Sequence, residues 1–270
     1  MKNLFSVQDK VIVITGAAGV LGTSMVHHFA EQGAKVVILD RNEEAGRRLE
    51  EEGKAEGGEV MFLYTDVLDK QVLEGNYTEI MARYGRIDVL INGAGGNMAG
   101  ATIAPDKTIF DLDIEAVRKV VDLNLFGIIL PTMTFTQAMI EQKQGSIINI
   151  SSESAIRPLT RVAGYGVAKA AVTNFTKYMC GELATKYGDG LRVNAIAPGF
   201  FITEQNRTLL LNPDGSYTER SKTILAHTPY GRFGESSELL GTLQWLASDA
   251  SKFVSGTMTV IDGGFDAFSI

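Results

Sequence analysis

Cysteine is almost absent from this chain: Cys180 is the single thiol in 270 residues, beside three histidines and one tryptophan. One thiol excludes a disulfide framework within the chain. Two of the histidines, His27 and His28, are adjacent, and no H-x-x-x-H or H-E-x-x-H spacing occurs. With one cysteine, a catalytic zinc site of the Cys/His kind is not expected, and no metal is assigned. Cations are also in short supply. Lys and Arg number 25 against 32 Asp and Glu, a formal net charge of −7. Nucleic acid calls for a basic face, so no nucleic-acid partner is expected. The opening "MKNLFSVQDK" has no apolar run of signal-peptide length, and no stretch reads as the roughly 18 apolar residues of a membrane span. The expectation is a soluble, cytoplasmic protein without a membrane partner.

What is present is a large apolar fraction, 45% of the residues, enough to bury a sizeable core at the upper end of what one domain holds. Short β-branched runs recur along the chain: "VIVIT" (11–15), "KVVIL" (35–39), "EVMFLY" (59–64), "IDVLIN" (87–92), "GSIINIS" (145–151), "RVNAIA" (192–197) and "TMTVID" (257–262). Helical periodicity fills the gaps at 20–32, 43–52, 70–84, 114–142, 162–187 and 235–248. The strands read as continuous apolar runs, so both faces of their sheet are covered. Alternating strand and helix predicts right-handed crossovers and an open parallel α/β sheet of about seven strands, doubly wound, in one domain over 1–270. No repeat, low-complexity tract or Pro/Ser-rich linker breaks it. One long interruption, 200–230, contains the turn signal "NPDG" and is expected to be a substrate lid.

The first strand runs into "TGAAGVLG", whose Gly16, Gly19 and Gly22 stand three apart. That spacing matches neither G-x-G-x-x-G nor the phosphate loop G-x-x-x-x-G-K. Its position, between a strand and the N-terminus of an amphipathic helix, is nevertheless where backbone N–H groups and the helix dipole meet a pyrophosphate. The second strand ends in Asp40, 18 residues after Gly22. A carboxylate there accepts both ribose hydroxyls of an adenosine and repels a 2′-phosphate, which favours NAD. Arg41 beside it is the feature that would suit NADP. The alternative is that Asp40 caps the next helix and the glycines only turn the chain.

"YGVAK" puts Tyr165 and Lys169 on one face of a helix, and it is the one Y-x-x-x-K in the sequence. Carbonyl reduction needs a proton donor for the alkoxide. A tyrosine, with an ordinary pKa near 10, needs a neighbouring ammonium and a positive nicotinamide to serve as one at neutral pH. Thirteen residues upstream, "INISS" ends a strand at Ser151 and Ser152, where a hydroxyl can hold a substrate oxygen. Taken singly, each feature is an ordinary surface pattern. Their order along the chain is not.

Over essentially its whole length the sequence resembles the short-chain dehydrogenase/reductase family, whose domain is of the Rossmann type. "TGAAGVLG" is similar to T-G-x-x-x-G-x-G, "TDV" (65–67) to its adenine-contacting acidic site, and "INGAG" (91–95) to N-N-A-G. "DLNLFG" (122–127) supplies the family's asparagine, and "APGFFIT" (197–203) matches P-G-x-x-x-T. The resemblance implies Tyr165 as general acid/base, Lys169 as its modulator and ribose ligand, and Ser152 as carbonyl anchor. It further implies Asn124 as holder of a water in a proton relay with Lys169. It implies a dinucleotide bound by Gly16, Gly19, Val20, Leu21 and Gly22, by Asp40 and Arg41, and by Asp66 and Val67. Asn92, Gly93, Ala94, Pro198, Gly199 and Thr203 complete that set. Two positions depart from the family pattern: Val20 stands where the second loop glycine belongs, with Gly19 one residue early, and Gly93 replaces an asparagine.

"INGAGGN", "APGFFITEQNR" and "HTPYGRFGESSELLGTLQWLAS" are similar to the D-mannonate oxidoreductase (fructuronate reductase) branch, which implies a sugar-acid substrate. Such a substrate wants a cation for its carboxylate and hydrogen-bonding groups for its hydroxyls. Arg207, Arg157, Arg161 and Asn97 are the candidates, Arg207 foremost, with Gln205 and Asn206 for hydroxyls. Other polyol or keto-acid dehydrogenases of the family, gluconate 5-dehydrogenases among them, need the same four residues. A non-catalytic dinucleotide sensor would not need the Tyr and Lys. The family habit implies a homotetramer packed through 254–265.

Overall fold

The computed structural model describes residues 3–203 and 206–268. The described residues form a parallel sheet of seven strands in the order β3-β2-β1-β4-β5-β6-β7. The strands are β1 (Val11–Thr15), β2 (Lys35–Asp40), β3 (Glu59–Tyr64), β4 (Val89–Asn92), β5 (Gly145–Ile150), β6 (Leu191–Pro198) and β7 (Met258–Ile261). Helices α1 (Val20–Glu31), α2 (Glu43–Ala55) and α3 (Lys70–Tyr84) make the first crossovers. Then α4 (Ile114–Val121) continues through a π turn (Asp122–Phe126) into α5 (Gly127–Gln142), and α6 (Ala163–Tyr187) follows β5. The expected doubly wound α/β architecture is what the chain adopts. The order reverses between β1 and β4, which opens a crevice at the carboxyl ends of those strands.

The continuous apolar runs have a direct physical cause. Ile12 and Ile14 of β1 enter a core on one face with Phe29 of α1, while Val11 and Val13 enter a second core with Phe135 of α5 on the other. Alternate residues of a strand point to opposite faces, so a strand with two cores must be apolar throughout.

Three readings change. The interval 200–230 is not one loop. It contains α7 (Arg207–Leu210) and α8 (Glu219–Ala226) around a small cluster of Leu210, Ile224 and Phe233. The stretch 235–248 begins as a 3₁₀ turn, Ser236–Leu239, before α9 (Leu240–Ala247). The third concerns a membrane span. Ile114–Gln142 is one 29-residue helical stretch, long and apolar enough by length and composition to cross a bilayer. Its Phe135, Ala138 and Met139 are fully buried in the second core, so its apolarity is accounted for by the sheet it covers.

A buried polar column crosses the centre of the molecule. Asn92 Nδ2 on β4 donates to Thr132 Oγ1 of α5 and to Asn149 Oδ1 of β5, both at 2.9 Å, and Asn149 Nδ2 donates to Thr176 Oγ1 of α6 at 2.9 Å. All four residues sit at or near zero exposure. Polar groups at that depth hold elements in register because losing a partner strands the other. Asn149→Leu is therefore expected to cost about 2–3 kcal/mol of stability, read as a lowered denaturant midpoint with an unchanged m-value.

Candidate active site

The three loop glycines are required for three different reasons. Gly16 has φ +68°, and a Cβ there would stand 2.7 Å from Ala94 Cα. At Gly22 a Cβ would meet Gly16 O at 2.5 Å and Ala17 Cα at 2.6 Å, because α1 packs tightly on the turn. Gly19 is unlike both: a Cβ there meets only Gly16 O, at 3.5 Å. The protein itself does not fill that space. Gly19 is also the N-cap of α1, which has no side-chain cap and no acidic residue in its first turn. Free N–H groups and a positive dipole end thus face a cradle without side chains, which fits a pyrophosphate. Val20 opens the helix and is 39% exposed, while Leu21 packs against the core.

Asp40 Oδ2 accepts from Ala18 N and Oδ1 from Asn42 N, both at 2.9 Å. The helix-cap alternative fails, since Asn42 caps α2 by accepting from Ala45 N. Asp40 instead ties the end of β2 to the glycine loop, and Arg41 beside it is exposed. Thr15 Oγ1 accepts from Gly93 N and Ala94 N at 3.1 and 3.2 Å, pinning that loop to the end of β1. Asp66 is exposed and accepts from Leu68 N, whereas Val67 is buried. On the far side, Pro198 ends β6 and Gly199 N donates to Ile261 O. Thr203 N donates to Asn206 Oδ1. Asn92 corrects an expectation: its side chain belongs to the buried column and has no exposure, so it does not line the dinucleotide crevice.

Lys169 is 3% exposed, and its Nζ donates to Ile150 O at 2.8 Å. Burial lowers its pKa to about 8, which leaves it largely protonated at neutral pH. The same Nζ lies 5.6 Å from the centre of the Tyr165 ring, one turn back on α6. Burial pushes the Tyr165 hydroxyl above its ordinary value, and a hydrogen bond with Ser152 opposes this. Protein side chains alone therefore do not bring the tyrosine into the neutral range. Ser152 Oγ accepts from Ser154 N and Ser154 Oγ at 3.2 and 3.0 Å, so its own hydrogen is available to donate. Asn124 lies in the π turn with no exposure. Its Nδ2 donates to Gly96 O and Val120 O, and its Oδ1 accepts from Gly96 N. Its amide holds the Gly96 loop, and a water would have to rest on the backbone of the turn. Gly95 makes the approach possible, since a Cβ there would be 2.7 Å from Asn124 Oδ1 and 3.2 Å from Lys169 Nζ.

The proposed substrate ligands separate. Arg157 is corrected: its Nε bonds Asp266 Oδ1 at 2.6 Å and its Nη2 bonds Asp266 O, so it holds the C-terminal turn. Asn206 is corrected too, because its Nδ2 donates to Phe201 O and its Oδ1 serves Thr203. Asn97 Nδ2 donates to Thr102 Oγ1. Arg207 opens α7 on the surface. Arg161 sits in a left-handed backbone, φ 74°, just before α6. Gln205 lies outside the described residues.

No sequence motif singles out Glu153. It follows Ser152, is 1% exposed, and neither carboxyl oxygen has a hydrogen-bond partner. Burial, then Asp266 and Asp262, raise its pKa from 4.5 to about 7, against the pull of Arg157. Between those values the folded protein holds a proton that the unfolded chain has released. Stability therefore falls as pH rises from 4.5 to about 7 and is level above. Glu153→Gln removes this loss. The variant is expected to melt about 6 °C higher than the parent at pH 8 and at about the parent's temperature at pH 4.5. Equal melting temperatures at pH 8 would overturn the assignment.

Comparison with known proteins agrees with this geometry. The sequence profile of short chain dehydrogenases matches residues 10–213. The uncharacterised oxidoreductase UxuB of Bacillus subtilis (strain 168) is 43% identical over 269 residues, covering 96% of each chain. A solved Haemophilus influenza structure with bound NAD, described as a candidate D-mannonate oxidoreductase, is 40% identical, covers 99% of each chain and superposes with a TM-score of 0.91. A gluconate 5-dehydrogenase from Burkholderia cenocepacia J2315, solved with NADP and tartrate, is 32% identical, covers 98% of each chain and gives a TM-score of 0.88. The chain is a pyridine-nucleotide-dependent oxidoreductase and belongs to the short-chain dehydrogenase family.

Proposed function

We propose that the protein transfers hydride between NAD and the secondary alcohol or ketone of a sugar acid, interconverting D-mannonate and D-fructuronate. The observation that carries the chemistry is the buried Lys169 ammonium held between Ile150 O and the Tyr165 ring, with Ser152 close enough to lower the basicity of the same tyrosine's phenolate. Ser152 donates its hydroxyl hydrogen to the substrate carbonyl oxygen. Tyr165 delivers a proton to that oxygen as it becomes an alkoxide, and takes it back in the oxidative direction. Lys169 places a positive charge beside the phenol and keeps two ammonium hydrogens for ribose hydroxyls and a relay past the π turn. When bound, the nicotinamide supplies or accepts the hydride, and its oxidised form adds the positive charge that the tyrosine lacks. The glycine loop and the N-terminus of α1 hold the pyrophosphate, and the Asp40 carboxylate holds the adenosine ribose and disfavours a 2′-phosphate. The segment 200–230 serves as the lid. The candidate function of the NAD-bound Haemophilus structure supports the choice of D-mannonate.

The test is NADH oxidation by the purified protein with D-fructuronate, run beside 5-ketogluconate and with NADPH as second cofactor. Turnover is expected with fructuronate and NADH. Turnover with 5-ketogluconate alone would replace the substrate and keep the mechanism. Tyr165→Phe is expected to lower kcat by roughly 10²–10⁴-fold with NADH binding retained, and substantial residual turnover would overturn its role. We also infer a homotetramer, because β7 at the sheet edge is only half-buried and Phe253 beside it is 105% exposed. Light scattering should give four times the 29.2 kDa chain mass, and a monomer would refute it.

A further inference from the structure

Five arginines of this protein (Arg47, Arg86, Arg118, Arg157 and Arg232) each pair with a carboxylate within hydrogen-bond distance. Arg161 and Arg220 do the opposite. Arg220, on α8, donates from Nη1 to Thr160 Oγ1 at 2.9 Å and from Nη2 to Thr160 O at 3.3 Å. Thr160 is the residue before Arg161, so the guanidinium of the 200–230 segment rests against the neighbour of a second guanidinium. Arg220 lies close enough to feel that charge, since it loses basicity first through burial and then through the charge of Arg161. Among the described residues neither pairs with a carboxylate. Glu219, next to Arg220 in sequence, is held by Lys222 at 2.6 Å.

The location gives this pair its meaning. Arg161 is four residues before Tyr165 and has a left-handed backbone, φ 74°, which is strained for a side chain of its size. Its carbonyl accepts from Ile103 N at 3.0 Å. Through that bond it is joined to the 97–103 loop, whose Met98 and Ala101 pack with Tyr165. Three segments therefore converge at one edge of the site: the 97–103 loop, the approach to α6, and α8. Two neighbouring cations without a counter-ion repel each other, and an anion placed between them converts that repulsion into attraction. A planar carboxylate can take one guanidinium fork from each side.

We propose that Arg161 and Arg220 together form the receptor for the substrate's carboxylate, and that the bound carboxylate locks α8 against the approach to α6, where Arg220 already rests on Thr160. This rests on the sugar-acid reading above, which it deepens: the acid group is recognised by a pair, one member fixed beside Tyr165 and the other carried by the lid. Arg207, the first choice from sequence, stands outside the pair.

Arg161→Gln and Arg220→Gln are the test variants, with Arg161→Lys and Arg220→Lys as charge-keeping partners and Arg48→Gln, on the exposed face of α2, as control. Each Gln variant is expected to raise KM for D-fructuronate at least tenfold relative to the parent, while kcat/KM for a neutral ketone stays within threefold. The Lys variants should recover part of the loss, and Arg48→Gln should change neither. An equal fall with acid and neutral substrates would make the arginines structural and overturn the proposal. A direct readout uses malonate and inorganic phosphate in thermal melts of the NADH-bound protein. Malonate is expected to stabilise the parent and not the Gln variants. Stabilisation by phosphate in place of malonate would overturn the choice of a carboxylate. If the parent turns over no sugar acid yet malonate still stabilises it through both arginines, the sugar-acid reading fails and the carboxylate receptor stands.

Discussion

Three consecutive residues at the end of β5 each hold α6. Asn149 Nδ2 reaches Thr176, the Ile150 carbonyl accepts from Lys169 Nζ, and Ser151 Oγ donates to Lys169 O. The strand end and the helix therefore behave as one piece, and the position of Tyr165 relative to Ser152 follows from it. The middle bond is the one on which the others depend. An ammonium at 3% exposure is unfavourable unless a strong acceptor meets it, and a backbone carbonyl at a strand end cannot rotate away. Burial that would cost stability elsewhere here fixes a positive charge beside a phenol, where proton transfer needs it.

The other half of the crevice is built on close backbone approach. Gly16 and Gly22 are confined by the protein's own atoms, and Asp40 and Thr15 draw the loop onto β2 and the 93–94 turn from two sides. Gly19 is the exception, facing open space at an uncapped helix end. The shift of one glycine from position 20 to 19 therefore moves the bare position onto the helix N-cap itself and leaves an exposed Val20 to start the helix. The loop keeps its N–H groups directed at an anion although its spacing departs from the family pattern.

The fold was legible because its signals are local. Apolar runs at strand length, helical periodicity between them, and glycines at a strand-to-helix junction each depend on a few neighbouring residues. The Tyr165–Lys169 pair was legible for the same reason, being one helical turn apart. What could not be read depends on partners distant in sequence. Nothing near Arg157 announces that Asp266, 109 residues on, takes up its guanidinium. Nothing near Asn92 announces Asn149 and Thr132, which turn its amide into the core. Arg220 was invisible because its meaning lies in Thr160 and Arg161, 60 residues earlier. Glu153 carries no local signal, since glutamate usually lies at the surface, and Asp262 and Asp266, which raise its pKa, lie over 100 residues further along the chain.

These distant contacts have an electrostatic consistency. The protein carries an excess of acidic residues, yet the edge of the crevice gathers Lys169, Arg161, Arg220 and the positive end of α1. A dinucleotide pyrophosphate is an anion, the sugar acid proposed as substrate is another, and both would meet these cations. Glu153 would oppose this if ionised, because it adjoins Ser152. Its burial beside Asp262 and Asp266 instead favours the protonated, neutral form up to about pH 7. A neutral carboxyl fills the space behind the serine without repelling an arriving carboxylate. Above that pH an uncompensated charge forms under the site, with only Arg157, already held by Asp266, to answer it. The same desolvation that makes Glu153 a cost to stability thus keeps its negative charge away from Ser152, beside which the proposed sugar acid would carry its own.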